Sequence, residues 1–183
     1  MKKKFLTIIS MSLALLLFLG CDNLMNTPTK RVEEFLNDYQ TNDSTVLTQL
    51  DSTLTNEMTL NDAQRDDYRD MMKKQYKDLV YTIKDETVDG NNATVKVEIE
   101  VYDYNKAIKE ADSYILLNQA DFLDEEGGMD NNKFMDYKIE RMKEVGERVK
   151  YTIDFHLTKS DNSWKLDDIT EIDRQKIHGI YSY

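Results

Sequence analysis

Ala93-Thr94-Val95-Lys96-Val97-Glu98-Ile99-Glu100-Val101-Tyr102 decides the fold of this chain. Val95, Val97, Ile99 and Val101 point one way, and Thr94, Lys96, Glu98 and Glu100 the other. A period of two carried by β-branched residues is the pattern of a strand with one dry face and one wet face. Antiparallel sheets carry that asymmetry, because nothing needs to cover their second face. Just upstream, Asp89-Gly90-Asn91-Asn92 is a strong turn signal, and Leu79 to Glu86 reads as the partner strand.

A second hairpin lies near the other end. Val149, Tyr151, Ile153, Phe155 and Leu157 alternate with Lys150, Thr152, Asp154 and His156; Lys159 to Ser163 reads as a turn, and Trp164 to Ile169 as the returning strand.

Around the hairpins the period lengthens to that of a helix. Thr27 can cap and Pro28 can open a first helix with Val32, Phe35, Leu36 and Tyr39 on one stripe. Val46, Leu47, Leu50 and Leu54 predict a second. A longer helix over about 61–78 turns Tyr68, Met71, Met72, Tyr76 and Leu79 inward. Ala107, Ile108, Ala111, Ile115 and Phe122 predict a helix interrupted at Asn118, and Phe134, Met135, Ile139, Met142 and Val145 another over 133–146. Thr170 with Asp173 resembles a capping box, so a last helix runs to His178 and stops at Gly179. Two hairpins separated by helices predict an α+β fold, one four-stranded antiparallel sheet packed against several helices in a single domain over residues 30–183.

The first twenty-one residues have a different character. Lys2, Lys3 and Lys4 precede an apolar run, Phe5 to Leu19, which closes on Phe18-Leu19-Gly20-Cys21. About 15 apolar residues suit a secretory signal peptide and fall short of the roughly 20 that a spanning helix needs. The segment resembles a bacterial lipobox, although Phe18 and Leu19 are bulkier than that pattern usually holds. The resemblance implies cleavage between Gly20 and Cys21 and acylation of the Cys21 sulfur. It also places the chain on the extracytoplasmic side of the cell membrane, anchored through two or more acyl chains. Cys21 is the sole cysteine, so an internal disulfide is excluded. Residues 1–20 thus read as signal peptide, and 21–29 as lipidated cysteine and flexible tether.

Cleavage would remove three lysines and no acid, taking the net charge from −11 to −14. A body this acidic is repelled by nucleic acid and by anionic lipid, which excludes nucleic-acid binding as a main function.

The segments Pro28-Thr29-Lys30-Arg31-Val32-Glu33-Glu34-Phe35-Leu36, Lys73-Lys74-Gln75-Tyr76, Ile99-Glu100-Val101-Tyr102-Asp103-Tyr104 and Trp164-Lys165-Leu166 resemble small lipoproteins of Gram-positive bacteria. In those proteins the extracytoplasmic domain is thought to be cystatin-like or NTF2-like. The resemblance implies a fold and supplies no functional residues.

Candidate chemistry is sparse. Asp154 and His156, two apart on the outward parity of one strand, are the residue types of an acid–base pair or a weak metal site, although a solvated strand face explains them as well. His178 falls in the last helical turn, where the helix dipole favours a cation. Asp121, Asp124, Glu125, Glu126 and Asp130 form an acidic loop, but no register gives the alternating ligands and central glycine of a calcium loop. The tyrosines and Asp103 are the residue types that line NTF2-like cavities, and the methionines suit either a core or an adaptable groove. Nucleophile, zinc, P-loop and dinucleotide motifs are absent, and no cofactor is implied. The expectation is a membrane-anchored binding module rather than an enzyme, with an envelope protein or small ligand as partner. A small NTF2-like hydrolase or isomerase is the alternative. A two-lobed solute-binding lipoprotein ranks last because 163 residues are few for two lobes.

Overall fold

The structure, a computed structural model, describes residues 26–57 and 59–183. Residues 1–20, expected to be a signal peptide, and Cys21 lie outside the described residues. Eleven elements follow in order: α1 (Pro28–Gln40), α2 (Ser44–Asn56), α3 (Asp62–Lys77), β1 (Val80–Asp89), β2 (Asn92–Tyr102), α4 (Tyr104–Leu117), a 3-10 turn (Gln119–Phe122), α5 (Asn131–Lys143), β3 (Arg148–Ser160), β4 (Ser163–Leu166) and α6 (Glu171–His178).

The strands form one antiparallel meander in the order β1-β2-β3-β4, so the fold is α+β as the alternation predicts. Gly90 at φ +59 opens the two-residue loop of the first hairpin, and Asp161 and Asn162, both at positive φ, make the second. Val95, Val97, Ile99 and Val101 are 0% exposed, and Ile153, Phe155 and Leu157 on β3 join them beneath the helices. The opposite face stays wet, where Glu98 pairs with both Lys84 and Lys150. A bulge between Ile83 and Asp85 breaks the register of β1, and the strand is exposed from Asp85 onward.

Each helix begins on a side chain that satisfies its free N–H groups: Thr27 for α1, Asp43 for α2, Asn61 with Gln64 for α3, Asp103 for α4, Asp130 for α5 and Thr170 for α6. Helix α1 lies on the inner face of the sheet, α3 packs against α1, α5 and α6, and α4 pairs with α5. One core holds Leu36, Met72, Tyr76, Leu79, Ile99, Phe155 and Ile177, all essentially fully buried.

Several boundaries differ from expectation. Residues 28–29, read as the end of the tether, form the first turn of α1, and Asn26 is already bonded to the sheet. Strand β4 stops at Leu166 rather than Ile169: Asp167 and Asp168 end the alternation, and Ile169 turns to pack on the core. The helix read from Asn105 towards Phe122 ends at Leu117, where the Asn118 amide folds back on Tyr114 O at 2.8 Å. Thr170 accepts from Asp173 N at 3.1 Å, but the Asp173 carboxylate takes the Thr170 hydroxyl instead of its backbone, half of a capping box.

Candidate functional site

Three helices and a loop bring aromatic and charged groups to one recess beside the sheet. Helix α1 presents Phe35 and Tyr39, α2 presents Gln49, and the β4–α6 segment supplies Leu166 to Ile169. Arg174, on the first turns of α6, completes the wall of an open groove of about 670 Å³, within the range of roughly 300–1,000 Å³ typical of small-molecule sites. Beside it, Tyr39, Tyr76, Arg174 and His178 border a gap of about 20 Å³, space for about one water.

The floor is an aromatic stack. Tyr39 meets Tyr76 edge-on at 5.0 Å between ring centroids, and Phe35 bridges Tyr39 at 5.2 Å and Phe155 at 5.6 Å. The Tyr76 hydroxyl lies 3.0 Å from His178 Nε2. Loss of solvent pushes the His178 pKa down to about 4, and the nearby Arg174 guanidinium adds to the shift. Burial raises the Tyr76 phenol far above its ordinary value, and Tyr39 moves the same way against the pull of Arg174. At neutral pH the pair is therefore an uncharged phenol against an uncharged imidazole. It is satisfied with Tyr76 O–H donating to Nε2 and the ring proton on Nδ1.

This overturns the expectation that His178 is a cation stabilised by the helix dipole. Its ring points into the core, where desolvation outweighs the few tenths to ~1 kcal/mol that an exposed helix terminus offers. Arg174 is held only loosely by Glu171 at 3.4 Å. The recess thus offers a guanidinium, an exposed amide at Gln49, the acidic residues Asp167 and Asp168, and an apolar wall from Phe35, Leu166 and Ile169. Its inner polar groups are poor proton-transfer agents, because general acid–base work needs a pKa near the operating pH.

A second recess is apolar. Leu54, Leu60, Tyr68, Ile108, Met135, Ile139 and Met142 line a cleft of about 220 Å³ between α2, α3, α4 and α5. Burial, with Glu57 nearby, lifts the Tyr68 phenol to about 12, and Lys138 at the wall is held by Asp112 at 2.8 Å. Met135 and Met142 therefore serve as groove wall and core at once.

The structure does not join Asp154 to His156. Both sit on the wet face of β3: His156 Nδ1 lies 3.3 Å from Thr94 Oγ1, and Asp154 faces Lys96 across β2. Two carboxylates of the acidic loop are taken up by its own backbone. Asp124 accepts from Glu126 N and Gly128 N, and Asp130 caps α5. Among the described residues no three His, Cys, Asp or Glu side chains are grouped to hold a metal. Asp103 caps α4 and accepts from the Tyr183 hydroxyl at 3.1 Å. No helix among the described residues is long and apolar enough to cross a membrane.

No sequence signal announces the Tyr76–His178 contact, whose partners are 102 residues apart. The buried Gln64 and Gln75 were equally unmarked, although Asn61-x-x-Gln64 is legible as a cap in retrospect.

No protein-family model and no curated protein matches the chain. A solved structure to which it is similar is that of a candidate lipoprotein (ycdA) from Bacillus subtilis. The likeness has a TM-score of 0.42 and 15% sequence identity, and it covers 82% of this chain and 47% of that one. The chain thus spans about half the length of that protein.

Proposed function

We propose that this protein is an envelope lipoprotein, cleaved behind Gly20, acylated on Cys21 and held on the extracytoplasmic face of the cell membrane. Its α+β domain is a binding module for a small ligand or an envelope partner. The anchor reading is supported by the Lys2–Cys21 layout and the binding reading by the recess at Arg174. That recess has the size of a ligand site, a free face of guanidinium, and a floor whose ionisable groups are locked outside the neutral range. Helix α1 laid across an antiparallel meander supports the cystatin-like or NTF2-like expectation.

A hydrolase or isomerase is the second reading, and one observation favours it: His178 and Tyr76 border the small gap beside the recess. Against it stands the inner face of the sheet, where an NTF2-like cavity would lie, packed with Val97, Ile99, Ile153 and Phe155.

A photo-crosslinking residue at Gln49, expressed in cells in the acylated protein, tests the proposal. A discrete adduct that is lost in Arg174→Ala supports a binding module. Repeated recovery of bare protein counts against it. Capture of a compound whose turnover, but not binding, is lost in His178→Gln would move the assignment to the enzyme.

A further inference from the structure

The chain enters the described fold already pinned. The Asn26 side chain pairs with the edge of β4, its Nδ2 donating to Asn162 O at 2.6 Å and its Oδ1 accepting from Trp164 N at 3.2 Å. Thr27 then caps α1, and Thr29 N donates to Glu86 Oε2 on β1 at 2.9 Å. These bonds fix the point of entry at the end of the sheet that carries both tight turns, Gly90-Asn91 and Asp161-Asn162. The two turns belong to one end: Asn92 faces Thr158, and Lys159 N donates to Asn91 O at 2.8 Å. At about 3.3 Å per residue, the eleven residues of β2 put the opposite end, with Tyr102, Asp103 and Glu147, roughly 35 Å away.

Four residues separate Cys21 from Asn26. Fully extended, five links of about 3.3–3.6 Å reach at most ~18 Å, half the length of the sheet. A cysteine fixed by its acyl chains at the bilayer surface therefore keeps Asn26, and with it the end that carries both turns, within ~18 Å of that surface.

We propose that the domain stands on the membrane by its two hairpin turns, with Gly90-Asn91 and Asp161-Asn162 facing lipid headgroups. Helix α1 then runs away from the bilayer, and a recess bordered by Asp103 and Glu147 is presented outward. The proposal rests on the reading of Cys21 as acylated, and its surface partner is the headgroup layer itself.

The acylated full chain, with single cysteines introduced by Asn91→Cys, Lys165→Cys or Glu144→Cys and carrying a fluorophore, is reconstituted in vesicles of zwitterionic phospholipid containing headgroup-attached quencher. The native Cys21 sulfur is blocked by its lipid and does not label. Quenching at positions 91 and 165 is expected to exceed that at 144 by threefold or more. Ten Gly/Ser residues inserted after Asp22 should remove most of that difference. Equal quenching at all three positions in membrane-bound, acylated protein overturns the orientation while leaving the anchor standing. Protein recovered without acyl mass overturns both.

Discussion

Gln75 binds both backbone groups of Tyr102: its Oε1 accepts from Tyr102 N at 2.9 Å and its Nε2 donates to Tyr102 O at 3.2 Å. A glutamine of α3, 0% exposed, thereby continues the ladder where β2 runs out. The same place receives the end of α6. Gly179 sits at φ +73, and its carbonyl accepts from Asn105 N at 2.8 Å. Around the Tyr102 ring, Lys74 bonds its hydroxyl, the hydroxyl donates to Asp78 at 2.8 Å, and the Arg148 guanidinium lies over the face at 4.9 Å. Three elements distant in sequence are thus locked at the end of the sheet away from the two tight turns.

Replacing Gln75 with Leu keeps the bulk and removes both bonds. A buried backbone group left unpaired costs about 1–3 kcal/mol, and two are exposed to that penalty. The expected result is a loss of stability of about 2–4 kcal/mol by urea unfolding. A loss under ~0.5 kcal/mol would mean that water replaces the amide and that the junction is not closed.

Gly179→Ala should be at least as damaging. A left-handed backbone costs a non-glycine residue about 1–2 kcal/mol, and here an added Cβ would also overlap Tyr102 O and Gln75 Nε2. Helix α6 also ends in two bonds that depend on this conformation, Gly179 N to Lys176 O and Ile180 N to Gln175 O, both at 3.0 Å. The variant is expected to lose more stability than Gln75→Leu. An unchanged thermal midpoint would contradict the crowding.

What was legible in the sequence was what local pattern controls. Alternation at Val95–Val101 and Ile153–Leu157 placed the sheet and its buried face, Thr27-Pro28 placed the start of α1, and Gly179 placed the end of α6. Burial of a polar side chain is different, because its partner decides it. Gln75 looks like one more polar position on a charged helix until Tyr102 arrives from 27 residues away. Gln64 likewise needs Asp136, whose carboxylate accepts from its Nε2 at 2.7 Å. The position of His178 in its own helix suggests a cation, whereas the loss of solvent and the nearby Arg174 make it neutral. The recess at Arg174 is assembled from α1, α2, α6 and a loop, and no contiguous motif could have shown it.

The neutral His178 gives a pH dependence whose sign can be stated. Its pKa falls from the ordinary 6.5 to about 4 on folding. Between those values the unfolded chain binds the proton more readily, so the stabilisation is complete above pH 6.5 and is lost as pH falls towards 4. The full effect is on the order of 3 kcal/mol. His178→Gln removes this titration. The stability gap between wild type and variant, measured by urea unfolding, should therefore narrow by roughly 2–3 kcal/mol from pH 7.5 to 4.5. Parallel curves would show that the ring is solvated in the folded protein.

The two faces of β2 should respond oppositely. Ile99→Ala empties a site that is 0% exposed, and such truncations cost about 2–5 kcal/mol. Glu98→Ala breaks two ion pairs, to Lys84 at 3.2 Å and Lys150 at 3.3 Å, on the wet face. Water and salt already screen those pairs, so the unfolding midpoint at 0.15 M salt should not move measurably. A large effect at Glu98 would mean that something covers the outer face of the sheet in the folded protein.

Cys21→Ala tests the anchor on which the membrane placement depends. Without the sulfur no acyl chain can be attached, and the folded domain has no apolar span of its own among its described residues. The protein should lose its acyl mass and, once its leader is cut, leave the membrane fraction for the medium. Acyl chains contribute about 0.8 kcal/mol per buried CH₂, and a single chain anchors only marginally, so partial acylation would show as partial release of the wild type. A wild type retained in the membrane at the unprocessed mass and without acyl chains would instead identify Phe5–Leu19 as an uncleaved signal anchor. In that case Asn26 would still enter beside the two hairpin turns, but the tether would no longer begin at a lipid.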